Sequence, residues 1–327
     1  YVLDLQKQTT QRVSQSGMQP HFAGGNERIY FTRFVSGTPY TETELVSVNL
    51  AGDDLRQHAY GADKVSEYRL SHDKQWLAFV YQYNTYVVPF VENGKRITIG
   101  PNMTSLPVTQ ISARAGEYLN WSPNNDKLTW FHGPFLYEQS LDEAFAFVGG
   151  NDETAEPVTE GINLSFNVAS KKAEGYTAIV GGTIVTMRDA DSKEEIINNG
   201  TVLIKDNIIE AVGPTDAIQI PEEALILDAT GKTVIPGLVD AHAHGSQGRN
   251  EIIPEQNWIQ FSNIAFGVTT MHDPSNDTTE IFAAAELQRA GLRVGPRLFS
   301  TGTILYGAEG IGYKAIINDF EDAYFHV

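Results

Sequence analysis

The chain has 327 residues, a formal charge of −18, no cysteine, and 41% hydrophobic against 20% charged residues. Its length exceeds what one hydrophobic core organises, so two or more domains are expected. The acidity argues against nucleic acid or an anionic membrane as partner, and no apolar run approaches the roughly 20 residues that cross a bilayer. The lack of cysteine removes disulfides and thiolate metal sites, leaving His, Asp, Glu and modified Lys as ligands.

The chain begins Tyr1-Val2-Leu3-Asp4-Leu5, without an initiator Met or a signal-peptide pattern, and this start reads as the interior of a longer polypeptide. Residues 1–155 read as all-β, with short apolar runs punctuated by Gly, Asn, Asp and Ser. Three segments share one order of strand, polar turn and strand: Gln19 to Thr32, Tyr68 to Val80, and Leu119 to Trp130. Further strands are expected at Glu44 to Leu50, Thr85 to Phe90 and Phe135 to Ser140. The spacing matches propeller blades of about 40–50 residues. This pattern, clearest from Leu119 to Trp130, resembles the TolB-like β-propeller family. Three blades and a trailing strand fall short of the four to eight of a closed propeller, so a partial propeller is expected. His21, His58, His72 and His132 are isolated in sequence and read as turn or strand-edge residues. Trp76, Trp121 and Trp130 read as blade core.

Gly149 to Gly161 is glycine-rich and acidic and reads as a linker. Strands are then expected at Ile162 to Val168, Tyr176 to Met187, Gly200 to Lys205 and Ile208 to Val212. Asp206-Asn207 forms a hairpin turn, and Ala224 to Asp228 with Thr233 to Ile235 complete a meander. Residues 156–236 thus read as a small β-sandwich.

The stretch Gly231 to His244, GKTVIPGLVDAHAH, follows. If Gly237 to Ala241 is a strand, His242 and His244 point to one side at its C-terminal end, where a (β/α)8 barrel keeps its active site. Asp240 shares their parity, so it either touches the metal or orients the histidines, and the second is expected. The run Pro236-Gly237-Leu238-Val239-Asp240-Ala241-His242-Ala243-His244 resembles the opening metal motif of the amidohydrolase superfamily, imidazolonepropionase-like members included. The preceding strands resemble the small sandwich that accompanies those barrels.

Residues 237–327 alternate helix and strand. Glu255 to Phe266 carries Trp258, Ile259, Phe261, Ile264 and Ala265 at helical spacing and stops at Gly267. Val268 to Met271 is a strand, Asp277-Thr278-Thr279-Glu280 is a capping box, and Val294 to Ser300 is the third strand. These two and a half β/α units are the first part of a (β/α)8 TIM barrel, so the whole is expected to be a multidomain fragment: partial β-propeller, small β-sandwich and incomplete barrel. His272 and Asp273 end the second strand at the rim of His242 and His244. They read either as contacts to the metal shell or substrate, or as a strand-end His and a turn-forming Asp. Thr301-Gly302-Thr303 and Tyr306-Gly307 are further candidates for the pocket, so His272 and Tyr306 are the substrate-binding candidates.

His242 and His244 suit a divalent metal, Zn²⁺ foremost, as one or two ions. The resemblance implies a carboxylated Lys or Glu, two more histidines and a general-base Asp beyond the chain end. It further implies hydrolysis of a C–N bond in a cyclic or linear amide or dipeptide by metal-activated water, with a small molecule or short peptide as substrate. TolB-like propellers fused to hydrolases imply an exported, periplasmic bacterial protein. A homo-oligomer stays open, as do three alternatives: a propeller-based binding or scaffold protein with a degenerate barrel, a phosphoester-cleaving member of the superfamily, and a hydrolase of the polymerase-and-histidinol-phosphatase type.

Overall fold

The computed structural model describes residues 1–35, 42–61, 65–145, 156–188, 196–249, 252–306, 314–317, 320 and 323–324. The chain divides into two compact units, Tyr1–Phe166 with Tyr306–Val327, and Asn167–Leu305. Among the described residues no helix is long and apolar enough to cross a membrane.

In the first unit a hairpin of β1 (Val2–Asp4) and β2 (Thr9–Gln11) precedes three sheets built in succession. The first holds β3 (Met18–Phe22), β4 (Arg28–Phe34), β5 (Thr43–Asn49) and β6 (Arg56–Gly61) as an antiparallel meander. The second repeats it with β7 (Val65–Leu70), β8 (Trp76–Tyr81) and β9 (Asn84–Pro89). Next, β10 (Ile97–Ile99) crosses back to pair in parallel with β6, and β11 (Thr109–Gln110) pairs with β9. The third sheet comprises β12 (Glu117–Trp121), β13 (Lys127–His132) and β14 (Phe135–Ser140), followed by the short α1 (Leu141–Ala144).

The similarity of the second and third segments has a cause in their turns. Ser71 Oγ donates to Asp73 and accepts from the backbone N–H of Gln75 and Trp76. Ser122 Oγ donates to Asp126 and accepts from Lys127 N. In both, the serine's backbone pairs with the residue five positions on, and a residue at positive φ, Lys74 or Asn125, reverses the chain. Neighbouring sheets are tied through their first strands. Leu70 N donates to His21 Nε2, Trp121 Nε1 donates to the Arg69 carbonyl, and Glu67 accepts from Tyr118 N and Leu119 N.

Trp121 and Trp130 are core residues, as expected. His21 lies on β3, the edge strand of its sheet, and His58 on β6 inside it; both are buried, and the ring of Tyr30 lies 6.0 Å from the first and 5.2 Å from the second. Burial pushes both imidazoles down to about 4.

The strand expected at Ile162 to Val168 is shorter and lies elsewhere. Only β15 (Ile162–Asn163) forms, and it pairs with β14. Asn163 Oδ1 accepts from Ser165 N, a local turn that ends the strand. Of the expected linker, residues 149–155 lie outside the described residues.

The second unit starts from the long β16 (Tyr176–Val185), paired antiparallel with β17 (Ile196–Lys205), which pairs with β18 (Ile208–Pro214) across the expected Asp206-Asn207 turn. The expected meander is not formed by the last two strands. Both β19 (Leu225–Asp228) and β20 (Thr233–Val234) run parallel to β16, on either side of a bulge at Gly181-Gly182. Gly181 sits at φ +81, which favours glycine, and a Cβ on Gly182 would stand 3.0 Å from that of Ala229. The bulge divides one strand between two partners.

A parallel sheet of β21 (Leu238–Asp240), β22 (Val268–Asp273) and β23 (Arg297–Ser300) follows, with α2 (Trp258–Ala265) and α3 (Thr278–Arg289) as its connections. Met271, Leu298, Ala243, Ala284 and Ala285 form its core. The helix ends match their sequence signals. Asn257 caps α2, Gly267 stops it at φ +85, and Asp277 caps α3 by accepting from Glu280 N. Asp277 N in turn donates to Asn276 Oδ1. The apolar stripe of α2 is not its buried face: Trp258 is 77% exposed, whereas Gln260 is buried beside Gly295. Finally, β24 (Ile304–Tyr306) pairs with β25 (Lys314–Ile316).

Candidate functional site

The candidate site begins where β21 ends. Gly237 packs so tightly on β22 that a Cβ there would lie 2.1 Å from Thr269 Oγ1, and Leu238 N donates to the Gly267 carbonyl. A side chain at the Pro236-Gly237 entry would hold β21 off its neighbour. The strand then runs only to Asp240, so His242 and His244 lie just beyond it. Asp240 Oδ1 accepts from His242 N at 3.2 Å, and Ala243 N donates to the His272 carbonyl at 2.8 Å. These two bonds take over from the ladder and keep the motif in place.

The imidazole rings of His242 and His244 have centroids 5.0 Å apart and planes at 77°. Two imidazoles on one tetrahedral ion, with Zn–N of about 2.0–2.1 Å, place their centroids roughly 5 Å apart. The centroid spacing of the pair matches that value. Among the described residues no third His, Asp or Glu completes a ligand set.

The inner edge of His244 is fixed. Its Nδ1 lies 3.2 Å from Asp273 Oδ1, and while the ring is 55% exposed, the carboxylate side chain is 1% exposed. Asp273 also accepts from Ser275 N at 3.0 Å and, through Oδ2, from Asn276 Nδ2 at 2.7 Å. Asn276 Nδ2 donates in addition to the Gly245 carbonyl at 2.9 Å. The chain segment after β22 and the residue following His244 are thus joined through one buried amide.

His272 lies within β22, one residue beyond the strand end expected from sequence; its side chain is half-buried, and its backbone carbonyl supports Ala243. Tyr306 falls in the first compact unit, at the end of β24, and Gly307 lies outside the described residues. Thr301 Oγ1 donates to the Pro274 carbonyl, and Thr303 Oγ1 is 2.8 Å from Thr278 Oγ1, so both tie the β22 and β23 loops together. Asn276 gave no signal as a lone residue. The run Asp273-Pro274-Ser275-Asn276 at a strand end is what carries the network.

No family model matches the chain. It is 37% identical over 83 residues to the enamidase of Eubacterium barkeri, covering 25% of this chain and 21% of that protein. To the imidazolonepropionase of Geobacillus sp. (strain WCH70) it is 45% identical over 67 residues, 19% of this chain and 16% of the relative. Among solved structures it is similar to a putative prolidase from Bifidobacterium longum, at 29% identity and a TM-score of 0.37, covering 45% and 34% of the two chains. The chain spans about a fifth of the length of the curated relatives it matches. The matches to the enamidase and the imidazolonepropionases support the amidohydrolase superfamily for the matched segment.

Proposed function

We propose that this chain carries the opening metal-binding segment of an amidohydrolase-superfamily enzyme that hydrolyses a C–N bond in a cyclic or linear amide or a dipeptide. The observation that carries the reading is the His242–His244 pair, its rings 5.0 Å apart at the end of a parallel strand. His242 and His244 would hold a divalent ion, Zn²⁺ foremost, through ring nitrogens. An ion held there supplies Lewis acidity and brings the pKa of a bound water towards neutrality. Asp240 serves by fixing the backbone of His242, Asp273 by holding the inner edge of His244. His272, in β22 beside the motif, is assigned to substrate contact.

The domain reading goes with it: residues 1–155 as blades of a TolB-like propeller, 156–236 as the companion sandwich and 237–327 as the start of a (β/α)8 barrel. Supporting it are three sheets in succession with recurring serine turns, and a parallel sheet whose strands alternate with helices. The substrate is a small molecule or short peptide, and the location an exported one.

The test is metal content of the full-length polypeptide by elemental analysis after dialysis, comparing wild type with the double variant His242→Ala/His244→Ala. One or two divalent ions per chain, lost in the variant, is the expected result. A wild type without bound metal even after reconstitution would overturn the proposal.

A further inference from the structure

The geometry points to Asp273, held by Asn276, as the positioning residue that sets the tautomer of His244 and so decides which ring nitrogen faces a metal. The inference rests on the metal-binding reading of His242 and His244.

A carboxylate only accepts hydrogen bonds, so at 3.2 Å from Asp273 Oδ1 the Nδ1 of His244 must carry a proton. The lone pair of the neutral ring is then confined to Nε2, on the exposed side. With the opposite tautomer the Nδ1 lone pair would face the carboxylate, repelled by it and blocked from any ion. Asp273 is suited to the task because it is itself immobile. Its side chain is buried, Oδ1 is shared between His244 and Ser275 N, and Oδ2 receives Asn276 Nδ2 at 2.7 Å. Asn276 is saturated in turn, donating to Gly245 O and accepting from Asp277 N. Fully paired networks of this kind keep a single geometry. Asp240 makes its bond to the main chain of its own segment, its Oδ1 accepting from the backbone of His242. The two histidines are therefore held differently, one through its main chain and one through its ring. Outer carboxylates that fix a ligating imidazole commonly contribute a factor of about ten to a hundred in metal affinity.

The test uses wild type, Asp273→Ala and Asp273→Asn, each checked for fold by circular dichroism. In chelator-treated protein with ¹⁵N-labelled histidine, at a pH where the rings are neutral, long-range ¹H–¹⁵N spectra read the tautomer of His244. Zinc affinity is then read by competition with a chromophoric chelator. We expect the Nδ1–H form in wild type, its loss in Asp273→Ala and a reduced share of it in Asp273→Asn, whose oxygen can still accept from Nδ1 but whose amide N–H then faces Asn276 Nδ2. Zinc affinity should fall about ten- to a hundredfold in Asp273→Ala and less in Asp273→Asn. An Nε2–H form in wild type, or a tautomer unchanged in Asp273→Ala, overturns the role of Asp273. Zinc binding absent from wild type sinks the metal reading instead, and the metal-free tautomer still decides whether Asp273 governs the ring.

Discussion

Acid should loosen the first unit through His21, and the size of the effect follows from how that ring is held. Nδ1 is 3.0 Å from the Gln19 carbonyl and donates to it, while Nε2 accepts from Leu70 N at 3.1 Å. Both nitrogens are used in the neutral form, and a second proton would point into the Leu70 N–H. Burial leaves the ring 8% exposed and pushes its pKa down to about 4 from an ordinary 6.5. The native state thus disfavours the proton that the unfolded chain accepts. The stabilisation is full above about pH 6.5 and is lost as pH falls towards about 4. Two and a half pKa units correspond to about 3 kcal/mol in all, of which about 2 kcal/mol is lost between pH 7 and pH 5. Urea unfolding at these two pH values, followed by tryptophan fluorescence, should be run on wild type and His21→Gln. The stability gap between them should narrow by about 2 kcal/mol at the lower pH. Parallel pH profiles would refute the argument, because groups that do not interact with His21 cancel in the difference.

Two further substitutions probe the packing. Glu44 has a side chain 2% exposed and accepts from Arg33, Gln57 and Arg96; Glu44→Ala should cost about 3 kcal/mol in denaturant unfolding, at the low end for a buried pair because both arginines are partly exposed. Gly237→Ala should destabilise the second unit by about 1–3 kcal/mol through the clash with Thr269, measured as a lowered thermal midpoint.

Where a local rule was sufficient, the sequence could be read closely. Phe135–Ser140 is a strand to the residue, the serine turns at Ser71 and Ser122 recur as their sequences do, and Gly267 and Asp277 mark their helix ends. Features set by distant partners were not legible. That β19 and β20 run parallel to β16 depends on pairing across dozens of residues, and β10 returns to β6 for the same kind of reason. The stripe of α2 misled because Gln260 is buried, its amide donating to Gln247 and its stem close to Gly295, both outside the helix. Likewise the burial of His21 on its edge strand was not legible, since it depends on β7 and Tyr30. At the candidate site the spacing brought His242 and His244 to notice, but not the link from Asp273 through Asn276 to Gly245, which joins two loops far apart in sequence.

The bulge at Gly181-Gly182 works as a ruler for the histidines. Thr233–Val234 is registered against Thr183–Ile184, and only Ile235, Pro236 and Gly237 separate that pairing from β21. A slip of one residue would shift the entry of β21 by about 3.3 Å and reverse which face each of its side chains occupies. An inserted or deleted residue among Ile235, Pro236 and Gly237, ahead of any imidazole, would therefore set the register of β20 on β16 against that of β21 on β22.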